Sequence, residues 1–230
     1  MEGIIDKKQQ KFICGYNEMD ITTFLIQFYN ECGRDYPWRN ERTPFKVYLS
    51  EVLLQRTRAD QVEPVFRYLA TRYPDVKTLY HGFEEVKHAI QSLGRSCRLH
   101  YFKAGLEYLL DNYSGEIPSD RQKLMAVPGI GDYIAAAIRI FGFGIPDVIV
   151  DTNAVRFFCR FYGLQSTPET RRRKSFIELV TRHVSVSNCV EYSYGLLDFA
   201  ARFCQPVRPL CDICALKFQC KNGNIIKKYN

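Results

Sequence analysis

The chain has 230 residues, 46% of them hydrophobic and 25% charged, and 32 Lys plus Arg against 25 Asp plus Glu give a net charge of +7. This composition excludes a disordered, collagen-like or low-complexity chain, and the length suits one large domain or two small ones with a real core. The positive balance permits a polyanionic partner such as nucleic acid without requiring one.

The opening stretch MEGIIDKKQQKFICGYNEMD breaks its apolar pairs with charges and has neither an h-region nor a small-residue cleavage site. No stretch approaches the roughly 18 uninterrupted apolar residues of a membrane span. An intracellular, soluble protein of the cytoplasm or nucleoid, with no membrane partner, is expected. Nine cysteines form an odd set, which argues against a complete disulfide framework in such a compartment.

Helical period dominates in chain order, and strand alternation is nearly absent. DITTFLIQFYNECG places Phe24, Leu25, Phe28 and Cys32 on one face, with Asp20 as N-cap and Gly33 as the stop. TPFKVYLSEVLLQRT opens with Thr43 as cap and Pro44 at the first helical position. ADQVEPVFRYLATRY carries Asp60 and Glu63 in capping-box spacing and a stripe of Val62, Val65, Phe66 and Leu69. Further helices are expected at about 83–93, 97–113, 119–126, 132–143, 153–162, 172–184 and 189–203. The fold class is all-α. Gly142, Gly144 and Pro146 interrupt GFGIPDVIV, which marks a passage between two helical lobes. The basic run Arg171 to Lys174 reads first as a solvated helix start, with phosphate contact as its other use.

Three groups of residues carry chemistry. Cys204, Cys211, Cys214 and Cys220 read C-x6-C-x2-C-x5-C, and four thiolates in so short a segment can hold an iron-sulfur cluster or a structural zinc. Only the central pair is tight, whereas zinc sites more often pair two C-x2-C knuckles. Cys14, Cys32, Cys97, Cys159 and Cys189 have no such spacing and read as small core hydrophobes. In SDRQKLMAVPGIGDYIAAAIRIF, a short helix capped by Ser119 with Gln122 three residues on leads through Pro128, Gly129, Ile130 and Gly131 into a second helix. The glycines let backbone N–H groups at that helix start face an anion, and the same turn without a ligand would serve packing alone. Finally, Asp151 ends an apolar run and starts a helix in VIVDTNAVRFF, where the helix N-terminus favours its ionised form and a plain N-cap would look the same. Glu51 sits among Leu49, Val52, Leu53 and Leu54. A carboxyl raised in pKa by apolar neighbours can act as a general acid, and an exposed helix glutamate is the plain alternative.

Together these motifs resemble the helix-hairpin-helix DNA glycosylases of the endonuclease III superfamily over nearly the whole chain, from YPWRNERTPFKVYLSEVLLQRT through VPGIGDY and VDTN to the terminal cysteines. The resemblance implies two helical lobes flanking a DNA-binding cleft. One is a six-helix lobe over 36–146, with the hairpin at 119–143. The other joins 1–35 to 147–230 and holds a [4Fe-4S] cluster in loop 204–220, zinc being the alternative metal. Asp151 matches the essential aspartate, Pro128 to Gly131 match the phosphate-gripping hairpin, and Gln55 with Arg56 match the wedge that fills the space left by a flipped base. Bifunctional members carry a Schiff-base lysine where this chain has Tyr133, so the resemblance implies a monofunctional enzyme. SEVLLQRT with Glu51 looks like adenine-mismatch glycosylases. Those enzymes have serine at the Tyr133 position and an extra C-terminal domain, whereas this chain ends ten residues after Cys220.

Tyr133 and Asn153 in VDTN look more like thymine-DNA glycosylases acting on G·T and G·U mismatches. The expected catalytic set is Asp151, Glu51, Tyr133 and Asn153, in a monomer acting on double-stranded DNA with a mismatched or damaged base. Adenine excision opposite G or 8-oxoguanine, excision of a damaged pyrimidine, and a catalytically silent DNA-binding iron-sulfur protein are the other readings.

Overall fold

The computed structural model describes residues 19–91, 93 and 99–226. Cys14 and Cys97, expected in the core, lie outside them. In chain order the α-helices are α1 (Ile21–Cys32), α2 (Pro37–Asn40), α3 (Pro44–Leu54), α4 (Ala59–Arg72), α5 (Val76–His81), α6 (Phe83–Gln91), α7 (Leu99–Tyr113), α8 (Arg121–Ala126), α9 (Asp132–Ala137), α10 (Thr152–Tyr162), α11 (Lys174–Thr181), α12 (Cys189–Arg202) and α13 (Lys221–Ile226). The described residues contain no strand, and none of their helices is long and apolar enough to cross a membrane. The all-α reading is the fold found.

Several local expectations are corrected. The cap of α8 is Asp120, whose carboxylate accepts from Lys123 N–H at 2.9 Å, and not Ser119. Asp60 and Glu63 form no capping box: the helix starts two residues earlier than that box requires, with Arg58 at the N-cap, Asp60 lies inside its first turn, and Asp60 and Glu63 pair instead with Arg58 and Arg67. The helix expected over 132–143 is α-helical only to Ala137 and continues as a π-helix over Ile138–Gly142. The wider π turn brings Gly142 against Pro44, where a Cβ would come within 2.8 Å of Pro44 Cα. The helix expected over 172–184 shortens to α11, preceded by a 3-10 turn at Thr170–Arg172. Helix α5 gave no period in so short a stretch, but Asp75 and Thr78 build its capping box.

The chain divides into two compact units, one of Met1–Arg34 with Pro146–Asn230 and one of Asp35–Ile145. In the second, here the central unit, Tyr48, Leu49 and Leu53 of α3 pack with Phe102, Leu106 and Ala135 to Ala137 in the interior. Gly105 lets α7 approach both α3 and the hairpin turn, since a Cβ there would lie 2.6 Å from Tyr48 Oη and 2.7 Å from Pro128 O.

In the other, the terminal unit, aromatic rings make the core. Phe199 of α12 stands edge-on to Phe24 at 5.1 Å, Phe28 at 5.3 Å and Phe157 at 5.9 Å between centroids. Edge-to-face pairs of this kind add to the large apolar area each ring buries. Asp198, buried on the same helix, accepts from Arg34 N–H at 2.9 Å and pairs with Arg34 Nε at 3.0 Å. Such pairing is what a buried carboxylate requires. Cys159 and Cys189 are buried as expected, and Cys32 is half-buried.

Helices α1 and α12 touch backbone to backbone at Gly195, where a Cβ would fall 2.1 Å from Leu25 O. No rotamer can relieve a clash with a main-chain carbonyl. Gly195→Ala is expected to destabilise the protein by about 3 kcal/mol through overpacking, read as a lowered urea midpoint.

Candidate active site and thiol cluster

The hairpin is built from α8, the turn Val127 to Gly131, and α9. Ile130 N–H closes the turn onto Val127 O at 3.1 Å, and Gly129 takes φ +85, a conformation that favours glycine. Arg121 on α8 pairs with Asp132 at the start of α9 at 3.0 Å, and Arg139 donates to Ser119 O at 2.6 Å. Gly131 precedes α9, no side chain caps the helix, and a Cβ on Gly131 would meet nothing within 4 Å. The first turn therefore opens outward, with Tyr133 half-buried in it.

Glu51 is only 8% exposed, inside the apolar layer of α3. Gln55, at the end of α3, lines a cavity of about 90 Å³ with Tyr48, Tyr101 and Gly129. The Tyr48 hydroxyl is buried there with no hydrogen-bond partner among the described residues. Arg56 follows at φ +56, exposed and left-handed. Such a backbone is uncommon for a residue other than glycine, and strained positions of this kind cluster at functional sites.

In the terminal unit the loop before α10 ends at Asp151, the N-cap. Ala154 N–H donates to Asp151 Oδ1 at 2.7 Å, and Asn153 Nδ2 donates to Asp151 Oδ2 at 2.7 Å. Asn153 is itself held, because Arg156 Nη2 donates to its Oδ1 at 2.8 Å and to Ala200 O at 3.2 Å. Arg156 Nε donates to Cys204 O. A chain of hydrogen bonds thus runs from the Asp151 carboxylate to the first of the four clustered cysteines. Arg160, one turn further along α10, donates to Gln205 O at 2.6 Å and Pro206 O at 2.8 Å, and lies 3.5 Å from Cys204 Sγ.

Cys204, Cys211, Cys214 and Cys220 are free thiols that line one small cavity walled by Phe157, Phe161, Phe199 and Phe203. Burial pushes the Cys214 thiol up to about 12, and burial followed by the neighbouring cysteines raises Cys211; Cys220 is raised chiefly by burial. Among the described residues no three or more His, Cys, Asp or Glu side chains are gathered as the ligands of a metal ion.

The structure thus joins Asp151 to Asn153 and gathers the four cysteines, and it sets Gln55 beside Gly129. Glu51, Tyr133, Arg56 and the hairpin belong to the central unit, Asp151 and Asn153 to the terminal one. Sequence reasoning missed Arg156 and the Tyr48 hydroxyl. Neither has a local signal, because the partners of Arg156 at Ala200 and Cys204 lie far along the chain.

No protein-family model matches the chain. A thymine/uracil-DNA glycosylase from Pyrobaculum aerophilum is 34% identical over 209 residues, which cover 86% of this chain and 90% of that one. The chain belongs to the helix-hairpin-helix DNA glycosylases of the endonuclease III superfamily. A solved structure of a thermostable thymine-DNA glycosylase matches this glycosylase with a TM-score of 0.82 at 28% identity, covering 89% of this chain and 95% of that chain. An adenine DNA glycosylase from Buchnera aphidicola is 26% identical over 199 residues, 85% of this chain and 57% of that protein.

The two hairpin glycines of this glycosylase differ in what they demand. Gly129→Ala is expected to cost about 1–2 kcal/mol, from the left-handed backbone, with Tyr101 Cβ already 3.2 Å from the added atom. Gly131→Ala should stay within about 0.5 kcal/mol of the parent, since its φ is −102 and the space is open. Equal losses in chemical denaturation would contradict this assignment.

Proposed function

We propose that this chain is a monofunctional mismatch glycosylase that hydrolyses the N-glycosidic bond of T or U opposite G in duplex DNA, acting as a monomer. The observation that carries the reading is the Asp151 carboxylate, held through both oxygens at the start of α10 in a chain with Tyr133 where a Schiff-base lysine would stand.

Breaking the bond leaves oxocarbenium character on the sugar, as in glycoside hydrolysis. Asp151, ionised, stabilises that charge or bonds to it briefly before water adds at the sugar carbon. Two donated hydrogen bonds fix both of its oxygens in place. Glu51 supplies a proton to the departing base or positions it, directly or through water. Tyr133 contacts the flipped nucleotide by its ring or its hydroxyl, and Asn153 orients Asp151. Base extrusion costs a few kcal/mol, less at a mismatch, which contributes selectivity. Gln55 and the strained Arg56 fill the vacated space, while Pro128, Gly129, Ile130 and Gly131 present backbone to a phosphate.

The four cysteines fit a [4Fe-4S] cluster. All four line one cavity, and burial, the largest cause, raises the thiols of Cys211, Cys214 and Cys220, which a metal centre would offset by binding them as thiolates. A tetrahedral zinc would take the same four thiolates, but zinc sites more often pair two tight C-x2-C knuckles, and here only Cys211 and Cys214 are so spaced. The larger polynuclear centre suits the donor set better. Bound by Cys204, Cys211, Cys214 and Cys220, it would anchor the loop that carries Cys204 and so, through Arg156, steady Asn153. Protein purified anaerobically is expected to be coloured and to contain iron and sulfide in equal amounts; stoichiometric zinc in colourless protein would contradict this.

The activity is tested by single-turnover incubation with duplexes holding G·T, G·U, A·G and A opposite 8-oxoguanine, each split between alkaline and neutral work-up. Breakage at T or U after alkali alone is expected. Breakage without alkali would mean lyase chemistry, breakage at A would mean adenine excision, and no breakage in any duplex would mean a silent binding protein.

A further inference from the structure

The basic run Arg171 to Lys174 has no part in the site described above. Its four side chains are exposed, as a solvated helix start would be, but Arg171 has company. The face of α10 that carries Thr152, Arg156 and Arg160, together with Ser166, Thr167 and Arg171, encloses a cavity of about 700 Å³. All of it belongs to the terminal unit.

No ion pair with a carboxylate offsets the charge in this cavity among the described residues. Arg156 and Arg160 donate to carbonyl oxygens, which orient guanidinium groups without neutralising them. Arg160 also faces Cys204 Sγ at 3.5 Å, and its charge acts on the Cys211 and Cys220 thiols. No carboxylate among the described residues pairs with Arg156, Arg160 or Arg171. Glu169, the acid of the adjoining turn, is held below the usual carboxylate range by its own backbone N–H and by Thr167, with Arg173 and Arg172 adding to this. The cations that act on it are Arg173 and Arg172, and no ion pair among the described residues joins it to Arg171. Concave, arginine-lined surfaces with low-dielectric walls concentrate anions, and guanidinium forks match phosphate oxygens.

We propose that this cavity seats a backbone phosphate of the DNA strand, with Arg171 as its free cation and the Ser166 and Thr152 hydroxyls beside it. The inference rests on the glycosylase reading of Asp151, which begins the same helix. At about 1.5 Å per residue, α10 carries Arg160 roughly 13 Å along its axis from Asp151. On one strand that is a span of about four nucleotides. A strand that ran along α10 from a reacting sugar at Asp151 would pass the cavity a few phosphates away.

The test is duplex affinity as a function of salt, by fluorescence anisotropy, on a mismatch-free duplex and the same duplex with one G·U pair. Compared are the full chain, R171E, R171K and, as a control, K87E, whose ammonium pairs with Glu84 in the central unit. One lost phosphate contact lowers the slope of log affinity against log salt by about 0.9. R171E is expected to show that loss on both duplexes and to bind about tenfold more weakly at low salt, while R171K and K87E keep the parental slope. An R171E slope equal to the parent's would overturn the proposal, as would failure of R171K to restore it. A thermal shift with inorganic phosphate that R171E abolishes, at unchanged duplex slope, would mean a small-anion site and would also overturn it. Loss of slope in a protein that excises no base would keep the phosphate seat and sink the glycosylase reading instead.

Discussion

The carboxylate of Asp151 has no freedom of its own. One oxygen closes the first turn of α10 through Ala154 N–H, and the other is held by the Asn153 amide, which is held by Arg156. The rest of the terminal unit can be understood as support for that arrangement. Arg156 reaches its place because α12 offers Ala200 O and the thiol loop offers Cys204 O. Helix α12 in turn is seated on α1 by Gly195 and by the rings around Phe199. Charge-assisted hydrogen bonds in a partly buried network are stronger than neutral ones and cost more when left unmade. A group that must meet a short-lived cation gains from being fixed beforehand, since little reorganisation is then needed during the reaction.

Capping and catalysis make the same structural demand here. An N-cap must place an acceptor over the first turn of a helix, and a group that stabilises a cation must remain ionised. A helix start satisfies both through its partial positive charge. This is why Asp151 looked equally like an ordinary cap when only VIVDTNAVRFF was read. The hairpin offers the complementary case: at Gly131 the helix start has no side-chain cap, and its open face leaves room for a ligand's oxygen.

Much of the fold was legible because the signals were local. Thr43 with Pro44, Asp20 with Gly33, and the stripe on α4 are all set by residues within one or two turns of one another. Expectations failed where two local solutions competed. Ser119 and Asp120 are both good caps, and the carboxylate that reaches Lys123 N–H decides between them. Asp60 and Glu63 had the spacing of a capping box, but each found an arginine instead. The π-helix after Ala137 answers to contact with Pro44, a residue almost a hundred positions earlier, so no window around Ile138 could show it. Of the site, the types and spacing of Asp151, Tyr133 and the cysteines could be read directly. Arg156, which joins Asp151 to the cysteine loop within the terminal unit, could not, since its role exists only when Ala200 and Cys204 are folded against α10.

The central claim is that Asp151 acts chemically and is more than a helix cap. The most direct measurement is the single-turnover rate of base release by D151N on a G·U duplex, taken with its duplex affinity and thermal midpoint. Asparagine caps a helix about as well as aspartate, so affinity and midpoint should stay near the parent's while base release is lost. Base release at a parental rate, or a fall in all three quantities together, would contradict the account and leave Asp151 as a structural cap.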